Sequence, residues 1–472
     1  MSFKKQILAI AAVGALSAAT AVPAMALENE FHGMYRAFGF MSNAYNGTSA
    51  ITLAPGAHTN AFAEQRARIQ YIAKANDNLK LITHFELDSR FGGASYGTSG
   101  KYAGSGDAGQ LDADSVSLET KNVFLDFNEP FSGTNFKVGV QPWADAYGST
   151  FALFDGAGIQ VSRKFGAFTP TFGWFRVNDT SLNGGSAFGG QSAGVVGKKT
   201  TDIVVVDGKF AVNKDLTVGA SYYGVYNDAF TGTTFDSATA SAAVNFRELH
   251  MIGANASAKF GPAAVNVFGA YQVGEQTPGR NISAFGAGAT GKVKVGPGNA
   301  NLAFLYLSGD KDATTGDNEQ SGWQSLSANT TYFAPANMWL MIRSPQSINS
   351  SEGLGGNFLN KGGRGFMGFF GGYEYAAGKF FANANAGAGF VPNPGKTGGV
   401  EQDDYLGTEA NIQIGYKVYD SLSVSLIGAY LFLGDAVNSP TDAKRLSGTG
   451  ASNFTAYADD PYLTAVQFNY VF

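Results

Sequence analysis

The chain contains no cysteine, only four histidines and 14 prolines, and charged residues make up 15% of its 472 positions. Without cysteine it forms no disulfide, holds no thiolate-ligated metal and has no Cys-x-x-Cys-His signature for a c-type haem. The histidines, which include no closely spaced pair suggesting a zinc site, are His32, His58, His84 and His250. We therefore predict that the protein has no metal site and no cofactor.

The chain also lacks any uninterrupted apolar run of the roughly 18 residues that a membrane-spanning helix requires. Its amino terminus is typical of a secretory signal peptide: Lys4 and Lys5 precede a short apolar segment, which leads to Ala24-Met25-Ala26. No cysteine follows Ala26, which excludes a lipoprotein signal. We expect residues 1–26 to be removed on export, leaving residues 27–472. An exported chain of this kind is either soluble or a β-barrel.

The composition of the mature chain favours a barrel and argues against nucleic acid as a partner. Two of the 32 basic residues belong to the signal peptide, and the remaining 30 stand against 37 acidic residues, a net charge near −7. The 63 glycines, 38 phenylalanines and 21 tyrosines are typical of many strands joined by tight turns and bounded by aromatic girdles. Because disulfides are absent, closure of the sheet has to supply the stability.

Residues 462–472 predict an amphipathic terminal strand. Every second residue from Tyr462 lies on a largely aromatic and apolar face, and the residues between them are smaller and more polar. The length matches the roughly 9–11 residues with which a tilted strand crosses a bilayer. A terminal strand that ends on an aromatic residue resembles the closing strand of Gram-negative outer-membrane β-barrels. The resemblance implies that Phe472 belongs to an assembly signal, which the barrel-assembly machinery reads.

Eighteen strand-like segments follow the expected cleavage site, joined by eight short turns and nine longer connectors in strict alternation. An even strand number, with short turns at one end and longer loops at the other, is typical of a bacterial single-chain barrel. We predict an all-β fold, a transmembrane antiparallel up-and-down β-barrel of about 18 strands, with 16 as the alternative. The longest connector, residues 308–363, is expected to be an extracellular loop.

Alternation within consecutive segments places charged residues on one face of the sheet. In residues 62–75, Arg66 and Arg68 point away from the face that carries Ile69 and Tyr71. A charge that faces lipid at mid-bilayer costs about 2–4 kcal/mol, so the charged face is expected to look into a water-filled lumen. Neighbouring antiparallel strands should bring these side chains into one sector. The candidate pore-lining residues are Arg36, Glu64, Arg66, Arg68, Lys80, His84, Glu86 and Asp88.

Two interpretations of this charged sector remain open. We predict that Arg36, Arg66 and Arg68 form a basic strip that faces Glu86 and Asp88, and facing rows of charge set ion selectivity where a pore is narrow. On the other interpretation, the same residues are solvated lumen residues that hold one another by salt bridges.

Several segments near the two ends of the chain resemble known porins. Phe31-His-Gly-Met-Tyr-Arg36 and residues 66–86, 122–128 and 136–142 are similar to the opening strands of proteobacterial porins of the type found in metal- and sulfate-reducing groups. Residues 404–435 resemble a hairpin shared with alginate-export-type barrels. The resemblance implies a channel in the cell outer membrane of a Gram-negative bacterium, surrounded by outer-membrane lipid and commonly a homotrimer.

The chain departs from general porins in its third outer connector. In those porins a long third loop folds inward and narrows the pore, whereas residues 144–156 form a short connector here. We therefore expect the constriction to come from residues 308–363 or from lumen-facing side chains alone.

Two segments match a catalytic or a nucleotide-binding sequence motif but lack the structural context that the chemistry of the motif needs. Gly93-Ala-Ser95-Tyr-Gly97 matches a nucleophile elbow but leads into a Gly/Ser-rich loop with no helix behind it. Gly286-Ala-Gly288-Ala-Thr-Gly291 spells a dinucleotide fingerprint but leads into a strand, Lys292-Val-Lys-Val. We therefore predict no enzymatic activity and no catalytic residues.

The function predicted from the sequence is that of an outer-membrane porin, a passive diffusion channel for small hydrophilic solutes and ions. One alternative is a solute-specific or polysaccharide-export channel, which the resemblance of residues 404–435 keeps open. Another is a barrel sheath around the cytochromes of an electron-transfer conduit, in which this chain would carry no haem of its own.

Overall fold

The structure, a computed structural model, describes residues 27–45, 51, 53–54, 56–92, 118–179, 197, 200–228, 246–310, 318–326, 333–342, 353–354, 363–394, 396–397, 400–401, 403–438 and 458–472. The predicted signal peptide, residues 1–26, and the motif at residues 93–97 lie outside the described residues. In the part of the chain that the structure describes, no helix is both long enough and apolar enough to cross a membrane.

Eighteen antiparallel strands form the wall of the molecule, and consecutive strands pair with each other along the whole chain. Their outward and inward residues alternate, as the period of a strand requires. The strands are β1 (Glu28–Ser42), β2 (Asn60–Asn76), β3 (Leu79–Arg90), β4 (Glu119–Asn128), β5 (Asn135–Ala144), β6 (Leu153–Ser162), β7 (Phe168–Asp179), β8 (Thr200–Ala211), β9 (Leu216–Asn227), β10 (Glu248–Phe260), β11 (Ala263–Thr277), β12 (Arg280–Val295), β13 (Gly298–Leu307), β14 (Phe366–Ala377), β15 (Phe380–Phe390), β16 (Tyr405–Tyr419), β17 (Leu422–Leu433) and β18 (Tyr462–Val471).

The first and last strands pair with each other and close the sheet. β1 pairs with β2 on one side and with β18 on the other, from Met34 opposite Val471 to Ser42 opposite Leu463. The predicted antiparallel up-and-down barrel of 18 strands is therefore confirmed, and the alternative of 16 strands is wrong. The glycine-rich stretch at residues 286–291 and the predicted strand that follows it both lie within β12, so no helix follows the glycines.

The two ends of the barrel differ in the length of their connectors. Eight short turns, such as Asp77-Asn78, lie at one end, which we call the turn end. The other end, the loop end, carries the longer connectors, except that Pro278-Gly279 alone joins β11 to β12. Gly279 has a φ of 84°, which suits a two-residue turn between strands. The predicted strict alternation of connector length is wrong here, because strand pairing continues as far as Thr277 and Arg280.

The outer face of the wall is apolar. Ile252, Leu302 and Leu426 are 68%, 69% and 63% exposed on this face. In β18 the outward-facing Phe468 is exposed, whereas Leu463 on the inner face is buried. The alternation predicted for the terminal strand is therefore confirmed.

The hydrophobic core lies inside the barrel, toward the loop end, where two connectors fold inward. Tyr147 and Phe151 come from the connector between β5 and β6, and Trp323 and Trp339 come from the connector between β13 and β14. The inward-facing residues of the wall on which they pack include Phe175, Val205, Met251 and Leu305. A barrel of this strand number is too wide for wall side chains alone to fill, so the connectors fill part of the lumen.

The remaining elements are short and lie in the connectors of the loop end. A 3₁₀ turn (Ala334–Ala336) and a two-residue strand (Glu319–Gln320), which pairs with β12, belong to the connector between β13 and β14. Two further strands of two residues (Lys396–Thr397 and Val400–Glu401) pair with each other, and a single helical turn, α1 (Asp435–Asn438), follows β17.

Candidate functional site in the barrel lumen

Three consecutive strands, β1 to β3, bring charged residues together on the inner face. Arg36 of β1 lies opposite Arg66 of β2, and Arg66 lies opposite Asp88 of β3. One step toward the turn end, Arg68 lies opposite Glu86. We call these five residues the charged wall. The register of the strands thus places side by side five of the eight candidate pore-lining residues.

Within the charged wall the arginines pair laterally with the carboxylates. Arg66 Nε donates to Asp88 Oδ1 at 2.7 Å, and Arg66 Nη2 lies 3.3 Å from Glu86 Oε1. Arg68 Nε pairs with the other oxygen of Glu86. Because residues opposite each other on neighbouring strands are only about 5 Å apart, Arg66 and Arg68 face Glu86 and Asp88 directly and form one network of ion pairs with them.

Arg36 takes part in the closure of the barrel. Its Nε donates to Asn469 Oδ1 at 3.1 Å, which joins β1 to β18 across the seam of the sheet. Asn469 was not among the candidate residues, although closure of the predicted barrel pairs the last strand with β1 and the alternation places Asn469 on the more polar face.

The other three candidates also lie on the inner face. Lys80 pairs with Asp126 at 3.4 Å near the turn end, and the ring of His84 lies 3.3 Å from the amide of Asn122. Glu64, nearer the loop end, is only 2% exposed. Asp126 and Asn122 belong to β4, where the period-2 alternation is the signal that could have added them to the candidates.

Asp145 fixes the inward fold of the connector between β5 and β6. Its Oδ1 accepts the backbone N–H groups of Tyr147 at 2.7 Å and Ser149 at 2.8 Å. Its Oδ2 accepts those of Phe151 at 2.8 Å and Ala152 at 2.6 Å. Burial raises the pKa of the Asp145 carboxyl above its ordinary value, and the four N–H donors act in the opposite direction. One carboxylate thus holds the backbone of the connector in a compact turn.

The connector between β5 and β6 contacts both the wall of the barrel and the longer connector. The hydroxyl of Tyr147 forms a hydrogen bond with that of Ser221 on β9, and burial raises the pKa of Tyr147 to about 12, so the phenol stays neutral. Phe333 of the longer connector packs against Gly148, where a Cβ would lie only 2.9 Å from its ring. The two connectors are therefore in direct contact.

A buried glutamate on β16 binds the backbone of a second part of the longer connector, residues 339–341. Glu409 Oε1 accepts the backbone N–H of Trp339 at 2.7 Å. Its Oε2 accepts those of Leu340 at 2.9 Å and Met341 at 2.7 Å. Alternation places Glu409 on the inner face, but its partners lie in a connector without periodicity. The sequence pattern therefore gave no indication of this role.

Residues 145–152 and 333–342 together form what we call the lumen bar, which contacts β9 and β16 and also β1, where the rings of Trp339 and Phe38 lie 6.3 Å apart. The inner faces of the strands beneath it are 0% exposed at Val205, Met251 and Leu305. By contrast, the side chains of Arg66, Arg68 and Asp88 are 17%, 28% and 32% exposed. The charged wall therefore stays accessible to solvent, whereas Phe38, one inward-facing position nearer the loop end, is 1% exposed beside Trp339 of the bar.

Both connectors enter the lumen, although the constriction was expected to come from residues 308–363 or from lumen-facing side chains alone. The inward fold of the short connector depends on the four hydrogen bonds of Asp145 and not on its length. A short connector can therefore reach the interior when one carboxylate satisfies its backbone.

Fixed charges, hydrogen-bond donors and water-accessible space are what the lumen offers. Among the residues that the structure describes, no three His, Asp or Glu side chains are grouped so that they could hold a metal ion. Such an arrangement can attract, orient or exclude solutes by charge and by size.

Comparison with known proteins shows a shared fold. No protein-family model matches the chain, and no curated protein sequence matches it. Among solved structures, the outer membrane protein opdK from Pseudomonas aeruginosa is 10% identical, with a TM-score of 0.53 over 94% of this chain and 98% of that chain. A BenF-like porin from Pseudomonas fluorescens Pf-5 is 12% identical, with a TM-score of 0.51 over 94% and 98%. OccK2 (OpdF) of Pseudomonas aeruginosa, in complex with glucuronate, is 11% identical, with a TM-score of 0.52 over 94% and 96%.

Proposed function

We propose that the protein is an outer-membrane porin, a passive diffusion channel for small hydrophilic solutes and ions, without enzymatic activity. The observation that carries the proposal is the partly exposed charged wall beside the lumen bar, inside a closed barrel with an apolar outer face. A solute on this path meets paired charges on one side and the anchored bar on the other. Two structures of similar fold are described as an outer membrane protein and as a BenF-like porin.

The apolar outer face supports a location in the outer membrane. Large apolar side chains on this face are 63–69% exposed. Contact with lipid would shield them from water, and this shielding is favourable by about 25 cal/mol per Å² of apolar surface. In this proposal residues 1–26 direct export and the turn end faces the periplasm. The loop end, with residues 308–363, faces the outside. Assembly through the barrel-assembly machinery and association into a homotrimer belong to the same proposal.

A solute-specific channel is the second candidate, and the lumen bar favours it. A bar anchored at Glu409 and Ser221 narrows the lumen, and a narrow path discriminates between solutes better than a wide one. The same bar weighs against a sheath around cytochromes, because it occupies space that a protein guest would need. It also weighs against passage of a wide polysaccharide.

Swelling of proteoliposomes tests the proposal. Purified folded protein is reconstituted with arabinose, glucose and sucrose as test solutes, and boiled protein serves as the unfolded control. We expect swelling rates that fall with solute size, because the path beside the charged wall is limited in width. With a solute-specific channel, the proteoliposomes would instead swell with only one sugar, and the swelling rate would saturate as its concentration rises. Folded, heat-modifiable protein that admits none of the three would contradict both.

A further inference from the structure

A cavity of about 380 Å³ lies inside the lumen opposite the charged wall, between the lumen bar and the turn end. Residues 334–337 of the bar form one side, and strands β11 to β15 form the other. Its polar lining residues are Asn266, Thr290, Lys292, Asn301, Glu374 and Asn385. A second cavity of about 380 Å³ adjoins it, because Asn337 and Glu374 line both, and it adds Asn299 and Asn383.

The register of the strands aligns these carboxamides in rows. Asn301 of β13 lies opposite Gly372 of β14, and Gly372 lies opposite Asn385 of β15. A Cβ at Gly372 would lie 2.0 Å from Asn385 Oδ1, so the glycine gives this amide its place in the row. One step toward the turn end, Asn299 and Asn383 flank Glu374 in the same way.

The cavity offers hydrogen bonds without net charge. Lys292 Nζ and Glu374 Oε2 are 2.6 Å apart, so the charges of the lining compensate each other. Among the described residues, the half-buried side chains of Asn299 and Asn301 have no hydrogen-bond partner. Each carboxamide carries two donors and one acceptor that are available to a ligand.

We propose that this cavity is a binding subsite for uncharged polyhydroxylated solutes, sugars of one or two rings. A hydroxyl group both donates and accepts, which matches the paired donor and acceptor of a carboxamide. A solute with net charge finds no compensating charge here, since Lys292 and Glu374 are already paired. The proposal rests on the channel function and specifies its solute class.

Block of the ion current in planar bilayers tests the subsite. Maltose and glucose are added to the wild-type channel in KCl, and we expect a saturable decrease of current. Because the cavity lies between the bar and the turn end, sugar from the turn side should act at lower concentration. The double change Asn299→Ala and Asn301→Ala removes both unpaired amides. It should raise the half-blocking concentration roughly fivefold or more, by the usual contribution of a hydrogen bond.

The change Arg176→Ala is the control, because Arg176 lies on the outer face, where it pairs with Asp202, and its loss should leave the half-blocking concentration unchanged. A wild-type channel that conducts KCl without sugar block, or an asparagine variant that is blocked like the wild type, overturns the subsite and leaves the channel intact. Absence of any conductance contradicts the channel itself. Calorimetric titration of the folded protein with maltose then decides on the subsite: heat that the asparagine variant loses supports it, and no heat in the wild type overturns it.

Discussion

Arg66 is the residue at which the electrostatic contacts of the charged wall converge. It lies within ion-pair distance of both Asp88 and Glu86, and the three side chains are 17%, 32% and 10% exposed. Partly buried pairs are screened less by salt than pairs at a free surface. The charges of this wall are therefore balanced by pairing, and removal of one sign should leave the other uncompensated beside the path.

The double change Arg66→Ala and Arg68→Ala should make the channel favour cations. Glu86 and Asp88 lose their partners and present negative charge to the path. The reversal potential in a KCl gradient measures the effect. The shift should be largest at low salt and should shrink at 1 M, where the Debye length falls to about 3 Å.

Arg176→Ala supplies a control for this change of charge. Arg176 also pairs with a carboxylate on the next strand, Asp202, at 2.9 Å, but the strand alternation places it on the outer face. Its loss should leave the reversal potential unchanged. If the double variant also keeps the wild-type reversal potential and conductance at low salt, the arginines do not line the path.

At the scale of the elements, Glu409 accepts three hydrogen bonds from the backbone of residues 333–342 of the lumen bar. The change Glu409→Ala removes the acceptor of three backbone N–H groups, and each bond to a charged acceptor contributes about 1.5–3 kcal/mol. We expect residues 333–342 to detach from β16, with a larger and noisier single-channel current. Planar-bilayer recording measures both quantities.

Glu248→Ala is the matched carboxylate deletion on the outer face, where Glu248 pairs with His250 at 2.8 Å. It should leave the current and its noise unchanged. A Glu409→Ala barrel that folds normally and conducts with wild-type amplitude and noise would show that the bar does not narrow the path.

Sequence periodicity predicted the strands and their two faces well, but it did not predict the contacts that the connectors make inside the lumen. The side-chain period of a strand separates Arg66 and Arg68 from Ile69 and Tyr71, so the inner and outer faces could be assigned. By contrast, the contacts of Tyr147 with Ser221 and of Glu409 with Trp339 join residues 74 and 70 positions apart. Connectors have no period, so nothing local in the sequence indicates such partners.

At the scale of the whole molecule, the seam between β1 and β18 closes the barrel. Phe472 exchanges backbone hydrogen bonds with Gly33, at 2.9 Å and 3.1 Å. A Cβ at Gly33 would lie 2.4 Å from the ring of Phe472 and 2.6 Å from the carbonyl oxygen of Arg68. We predict that deletion of Phe472 and the change Gly33→Val both lower the amount of folded, heat-modifiable protein in outer membranes.

Gly39→Val controls for the introduction of a β-branched side chain into β1. Gly39 lies on the same outer face, and a Cβ there would have no atom within 4 Å. Its variant should assemble like the wild type. Equal yields for the Gly33 and Gly39 variants, together with unchanged assembly after deletion of Phe472, would refute a role of this seam in assembly.

The most direct test of the account asks whether ions pass beside the charged wall. The natural chain has no cysteine, so Arg68→Cys places a single thiol on this wall. Its conductance is recorded in a planar bilayer before and after a bulky thiol-specific reagent, with the cysteine-free wild type as control. The account predicts that labelling reduces the conductance of the variant alone. A variant that mass spectrometry shows to be fully labelled and that conducts as before would contradict it.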